Sequence, residues 1–416
     1  MEKNKDKNTN KQEVFSGQFK QPFLSTFFLD YESLPFKEDF LRRTDEALSG
    51  YEKREIDWEL EKALRLRNDL LVSFAVSKAE NSSVTLAEAE EVYKIVTADS
   101  AEKSFPFLSR KLKKGEKLTK KDHDRLEYFN IARTFKNLSG QKIELKDLSL
   151  KFILDLHNDL TVGLDIFGGR LEGFEPYHSG KLRSDDETRV ADYRPAPHEE
   201  IEASIKELIS WLKNNPSAIN ISVFQAALYA VHPFKNGNKR VCRVLEHIFL
   251  RSIGYNSHNL YSPSRYYYKH QDRYYKRLVE TLYKHNLNYF AAFASEALIF
   301  SVLGVIAGVL QRKKAEFLER SGLSKEVVKI IKPLVKRREV KFSRFYALAK
   351  RKVARQTFVN YLEEAVGLGI VKRREQGKNV YYSLAGEYAE EKILEEWLRQ
   401  AREKLNFLPE EFESYV

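Results

Sequence analysis

Cysteine and methionine are nearly missing: Cys242 and Met1 are the single examples in 416 residues. One cysteine excludes an intrachain disulfide framework and a cysteine zinc site. Glycine and proline are scarce too, at 18 and 11, and long segments carry helical periodicity instead. No repeat of 20–50 residues recurs. The opening stretch, MEKNKDKNTNKQEV, is polar and lysine-rich. It has no apolar run of the kind a signal peptide needs, and residues 1–20 read as a solvated tail. A long apolar run occurs once, in residues 289–310. Its uninterrupted part, ALIFSVLGVIAGVL, is short for a bilayer of about 30 Å, and Glu296 lies at its edge. A buried core helix is therefore expected, ahead of a homodimer surface or a membrane span, and the expected compartment is the cytoplasm.

Hydrophobic residues make up 42% and aromatics 12%, enough to bury sizeable cores. The length suggests two or three domains. Lys and Arg exceed Asp and Glu by 71 to 60, a net charge of +11. Between residues 38 and 81 apolar side chains recur at helical spacing, among them Leu41, Leu48, Leu64 and Phe74. Thr85 is placed to cap the next helix, LAEAEEVYKIV. Residues 109–124 read as a charged surface connection, with helices over 125–137 and 147–161. Lys181-Leu-Arg and Arg189-Val-Ala-Asp-Tyr193 alternate around a turn at 184–187, which predicts a small β-hairpin. Helices over 199–215 and 218–231 follow.

The most informative segment begins at residue 232: His232-Pro233-Phe234-Lys235-Asn236-Gly237-Asn238-Lys239-Arg240-Val241-Cys242-Arg243. Pro, Gly and two Asn make a tight loop between two apolar helices. The loop opens a helix whose first N–H groups lack intrahelical partners, an anion-binding arrangement. Arg240 and Arg243 share one face of that first turn. Cations there oppose the helix dipole unless an anion sits above them, which points to a phosphate-bearing ligand. His232 has the side chain whose ordinary pKa suits a general base near neutrality. Seven fixed positions coincide in this loop. Chance would produce them in a chain this long less than about once in a million.

The loop resembles the Fic motif HPFx(D/E)GN(G/K)RxxR. Leu156-His157, Gly180-Lys-Leu-Arg183, Arg189-Val190, Tyr193-Arg-Pro-Ala-Pro197 and SPSRYYYKHQDRYYKRL at 262–278 stand in the family's order. The resemblance spans roughly residues 25–310. It implies a mostly α fold with a β-hairpin flap, an N-terminal helical lobe over 21–110 and a catalytic domain over 111–310. It also implies transfer of AMP from ATP, with Mg²⁺, to a Ser, Thr or Tyr hydroxyl of a target protein or of the chain itself. In that scheme His232 takes the hydroxyl proton. Gly237, Asn238, Lys239, Arg240 and Arg243 bind the nucleotide, and Asn236 holds the place of an acidic magnesium ligand. A neutral amide is a poorer ligand for a hard cation than a carboxylate. Lys239 also suits the Doc branch, which resembles a kinase and transfers the γ-phosphate.

Residues 72–83, VSFAVSKAENSS, resemble the family's inhibitory motif (S/T)xxxE(G/N), with Glu80-Asn81 matching and Val76 standing where a hydroxyl residue is usual. The resemblance implies that Glu80 pairs with Arg243 and blocks the γ-phosphate's seat.

Residues 311–385 hold 20 Lys and Arg, 7 Glu and no Asp, a charge of +13; the rest of the chain carries 51 basic and 53 acidic residues, or −2. Helices over 323–336, 342–350 and 354–367, then strands IVKRRE and NVYYSL, resemble a winged helix-turn-helix over 311–386. Lys352 and Arg355 would stand at the recognition helix, and Arg373 and Arg374 on the wing, which suits DNA phosphates. A final amphipathic helix occupies the segment 387–416. The rival reading is a DNA-binding regulator whose Fic loop binds nucleotide but barely reacts.

Overall fold

The computed structural model describes residues 18–98, 106–349 and 353–416. The expected tail, residues 1–20, lies mainly outside these. Two compact units are present, dividing after Ser301.

The first unit is helical: α1 (Pro22–Ser25), α2 (Glu38–Glu55), α3 (Trp58–Ser77), α4 (Leu86–Thr97), α5 (Pro106–Lys113), α6 (Lys120–Ser139), α7 (Leu150–Thr161), α8 (Ile201–Asn214), α9 (Ala218–Val231), α10 (Asn238–Ser252), α11 (Pro263–Lys269) and α12 (Gln271–Tyr283). The first part of α13 (Asn288–Glu319) belongs to it as well. Every residue of α9 is buried, Asn220, Ser222 and Gln225 included, so the helix is enclosed on all sides rather than striped. It packs against α2, α8, α10 and α12. The periodic stretch 38–81 is two helices. Asp57 ends the first and caps the second, its carboxylate accepting from Leu60 N–H at 2.8 Å. Thr85 caps α4 as expected, in a reciprocal box with Glu88.

Two expectations need correction. Residues 109–124 are not simply a surface connection. Helix α5 ends at Lys113 and α6 starts at Lys120, and Asp122, His123 and Asp124 are buried. The missed signal is Thr119-x-x-Asp122, a second capping box. The β-hairpin over 181–193 is absent as well. Only an isolated bridge, Val190 with Tyr193, remains. Arg183 explains this, because its backbone N–H donates to Pro233 O at 2.9 Å rather than across a hairpin.

The apolar run lies in α13, the one helix among the described residues long and apolar enough to cross a membrane; 83% of its apolar window is buried within the protein. Glu296 on it accepts from Arg273 at 2.7 and 2.8 Å and from the Tyr266 hydroxyl.

The second unit contains α14 (Lys325–Ile331), β1 (Val340–Lys341), α15 (Phe342–Ala349), α16 (Arg355–Gly367), β2 (Val371–Gln376), β3 (Asn379–Leu384) and α17 (Ala389–Leu405). The sheet is antiparallel in the order β1-β3-β2. Gly377, with φ of +58°, permits the two-residue turn between β2 and β3. Phe345, Phe358, Leu362, Val371 and Leu384 close the core. The two-residue strand β1 was not legible in advance.

Candidate active site

The loop of residues 232–237 joins the buried α9 to α10, and a cleft of about 610 Å³ opens beside it. His232, Asn236, Gly237, Asn238 and Lys239 line it, together with Glu80 and residues 187–190. A volume of this size suits a small-molecule ligand.

Chain geometry sets the position of His232. Its φ of +52° turns the chain out of α9, while its N–H still closes that helix on Leu228 O at 3.1 Å. Few non-glycine residues adopt this conformation, and here the packed helices on either side impose it. His232 Nδ1 lies 3.3 Å from Tyr229 O. A carbonyl only accepts, so Nδ1 carries the proton and Nε2 keeps its lone pair. Burial holds the imidazole down at about 4, against the hydrogen bond to Tyr229 and the charge of Glu80. The ring is therefore neutral at pH 7, the form a general base needs.

Three further groups hold the loop. Phe234 is fully buried and stacks on His157, with ring centroids 3.8 Å apart. Gly180 N–H donates to His157 Nδ1 at 3.0 Å, so Nε2–H of that ring donates to Asn236 O, also at 3.0 Å. Asn238 bridges the loop, accepting from Phe234 N–H at 3.0 Å and donating to Phe234 O at 2.7 Å. The buried Arg183 donates to the carbonyls of His232 at 2.8 Å, Asp185 at 2.6 Å and Val231 at 3.4 Å, and to that of Ala196. Gly237 has φ of +86°, and a Cβ there would meet the His157 ring at 3.3 Å. Only glycine fits that turn without strain.

The basic residues separate into two sets. Lys239 faces the cleft, and its Nζ lies 3.1 Å from a Glu80 carboxylate oxygen. The expected Glu80–Arg243 pair is therefore corrected: the carboxylate rests on Lys239. Arg243 is buried elsewhere, donating to Ala75 O at 3.0 Å with its guanidinium 4.3 Å from the Tyr274 ring centre. It reaches Glu80 only as a more distant charge. Burial alone would raise the Glu80 pKa, but Lys239, Arg240 and then Arg243 outweigh it and hold it below the usual range. Arg240 is also buried, paired with Glu127 at 2.7 Å and reaching Asn236 Oδ1 at 3.2 Å and the Tyr177 hydroxyl at 3.4 Å. Neither arginine lines the cleft.

Asn236 does not fit as the seat of a divalent cation. Its side-chain oxygen already accepts from Gly237 N–H at 2.8 Å and from Arg240. An ion on that oxygen would face a guanidinium. Among the described residues no group of three His, Cys, Asp or Glu gathers as a metal site.

Residues 147–250 match the Fic/DOC family. The match takes in α7 to α9, the loop and most of α10. Protein adenylyltransferase fic-1 of Caenorhabditis elegans is 25% identical over 141 residues, 32% of this chain and 25% of that protein. The Caenorhabditis briggsae protein of the same name is 24% identical over 140 residues, with the same coverage. The chain thus spans a quarter of the length of the curated relatives it matches. Among solved structures, a Fic family protein from Desulfovibrio desulfuricans G20 aligns over 86% of this chain and 99% of its own, with a TM-score of 0.48 and 17% identity. Residues 134–508 of Fic-1 from C. elegans align over 65% of this chain and 72% of that one, with a TM-score of 0.48 and 16% identity.

Some groups around the loop of residues 232–237 escaped the sequence reading. Glu127 on α6 and Tyr177 had no signal, because their partner Arg240 is far away in sequence. Arg183 was visible only as part of an alternating stretch.

In the second unit, Arg355 begins α16, while Lys352 lies outside the described residues. Arg373 and Arg374 lie on β2, paired with Glu375 at 2.6 Å and Glu339 at 2.5 Å.

Proposed function

We propose that the cleft transfers AMP from ATP to a side-chain hydroxyl of a protein. The observation that carries this reading is the neutral His232, held with Nε2 free beside the first turn of α10. In the reaction His232 Nε2 takes the hydroxyl proton. The oxygen forms a bond to the α-phosphorus, the bond from that phosphorus to the bridging oxygen breaks, and pyrophosphate leaves. The first N–H groups of α10 and the Lys239 ammonium are donors for phosphate oxygens. A base near 4 is available but weak. Phosphate charge bound nearby raises it towards the operating pH.

Glu80 opposes this state. It holds Lys239, and its carboxylate occupies space and carries charge where a phosphate would sit. The proposed brake is thus competition between one carboxylate and the nucleotide for Lys239. Intact-mass measurement after incubation with ATP tests both points. The Glu80→Gly chain should gain AMP adducts faster than wild type, and His232→Ala should gain none. Adducts of phosphate mass would favour the Doc-like transfer. No adduct on any chain would leave a nucleotide-binding regulator.

A second reading concerns the unit from Val302 onward. Its helices α14 to α16 and its antiparallel sheet support a winged helix-turn-helix that contacts DNA, because all of β2 after Val371 is exposed and bears Lys372, Arg373 and Arg374.

A further inference from the structure

The turn that carries Glu80 borders a second cleft. It has a volume of about 450 Å³ and lies between the end of α3, the start of α4 and α11. Phe74, Ala75 and Tyr268 give it an apolar wall, Lys78, Arg265 and Lys269 add three cations, and no acidic residue lines it. The two rings meet edge to face with centroids 5.5 Å apart.

Arg265 is the telling residue. Its side chain is half-buried, yet among the described residues it has no hydrogen bond or ion pair. Burial pushes its pKa down to about 10, and Arg67 adds repulsion rather than relief. A partly desolvated guanidinium with no protein partner, still open to solvent on one side, gains more from pairing with an anion than a fully exposed one does. Lys78 donates to Ser82 O at 2.6 Å and has spare donors. Asp124 and Glu88 lie in its field, but they are tied to His123 and Lys120 and to Lys121 and Thr85 respectively. The start of α4 is already capped by Thr85, so attraction for an anion comes from the three side chains.

We propose that this groove binds a small organic phosphate, its flat apolar body against Phe74 and Tyr268 and its phosphate held by Arg265 with Lys78 and Lys269. A dianion balances clustered cations better than a carboxylate does, and the planar guanidinium matches two phosphate oxygens at once. The groove shares no lining residue with the first cleft but is linked to it through the end of α3 and the turn that carries Glu80. Ala75 lines the groove while its carbonyl accepts from Arg243, and the next turn's Ala79 O accepts from the Tyr275 hydroxyl at 2.6 Å. Occupancy should therefore be felt at Glu80. That coupling rests on the AMP-transfer reading; the binding does not.

The test is calorimetric titration of the full chain with phenyl phosphate, beside benzyl alcohol and inorganic phosphate. Phenyl phosphate should bind saturably and at least tenfold more tightly than either control. Arg265→Met should weaken it at least tenfold, and this variant removes an unpaired charge rather than a contact. Leu86→Trp, which fills the mouth from an exposed position, should weaken it too. Absent binding, equal binding by inorganic phosphate, or binding unchanged in both variants would each overturn the proposal.

Discussion

Glu246 lies on α10, one turn beyond Arg243, with its carboxyl sealed from solvent and accepting from the Tyr267 hydroxyl at 2.6 Å. Burial pushes its pKa up to about 8, against that hydrogen bond and the charge of Arg243. The folded chain therefore holds a proton that the unfolded chain releases above about 4.3. The stability from this group is whole below that value and is lost as pH rises through about 8. Glu246→Gln should flatten the decline in urea midpoint between pH 6 and 8.5, since an amide still accepts from Tyr267. The same steepness in both chains would refute the assignment. Gly237 gives a second prediction at this scale. An alanine there meets His157 and an unfavourable φ, so the loop shifts. A displacement near 1 Å costs about 100-fold in rate, while the strain costs upwards of about 1 kcal/mol. AMP labelling should fall far more than thermal stability does.

Among elements, α6 and α10 are joined by the buried pair of Arg240 with Glu127 and by the Phe135 ring edge-on to His247, with centroids 5.2 Å apart. Glu127→Gln leaves the guanidinium charged in a dry site. A loss of about 3 kcal/mol is expected, lowering Tm by roughly 6–12 °C. A thermal scan of the two chains decides it. The sequence showed the loop because its residues are contiguous, and it showed α9 and α10 through their apolar content. Glu127, Tyr177 and the role of Arg183 were hidden because each depends on a partner tens of residues away. The missing hairpin has the same origin: alternation at 181–193 marks extended chain, but pairing is decided by Pro233 O, which took the Arg183 N–H. The partner of Glu80 was misjudged for a further reason. Which cation a carboxylate meets depends on side-chain direction, and Arg243 points to Ala75 O instead.

At the scale of the molecule, charge separates strongly. The segment 311–385 carries the whole net excess, and the remainder is close to neutral. If this excess contacts DNA, the full chain should bind duplex with affinity that falls at least tenfold between about 50 and 200 mM salt. Arg355→Gln with Arg373→Gln should weaken binding and flatten that slope; retention independent of salt would rule the contact out. The ion pairs of Arg373 and Arg374 are exposed, worth little in water, and so are easily exchanged for phosphate.

The burial of α9 and α10 has a further consequence. Both helices that frame His232 are core elements, not surface loops on a scaffold. Their side chains determine at once whether the chain folds and where the His232 ring points. Random substitutions that abolish activity should therefore concentrate among those that also lower yield. Variants that silence the chemistry while sparing expression should map to a short stretch of the cleft rim, and altered target choice should arise along residues 187–190, where the backbone has no such double duty.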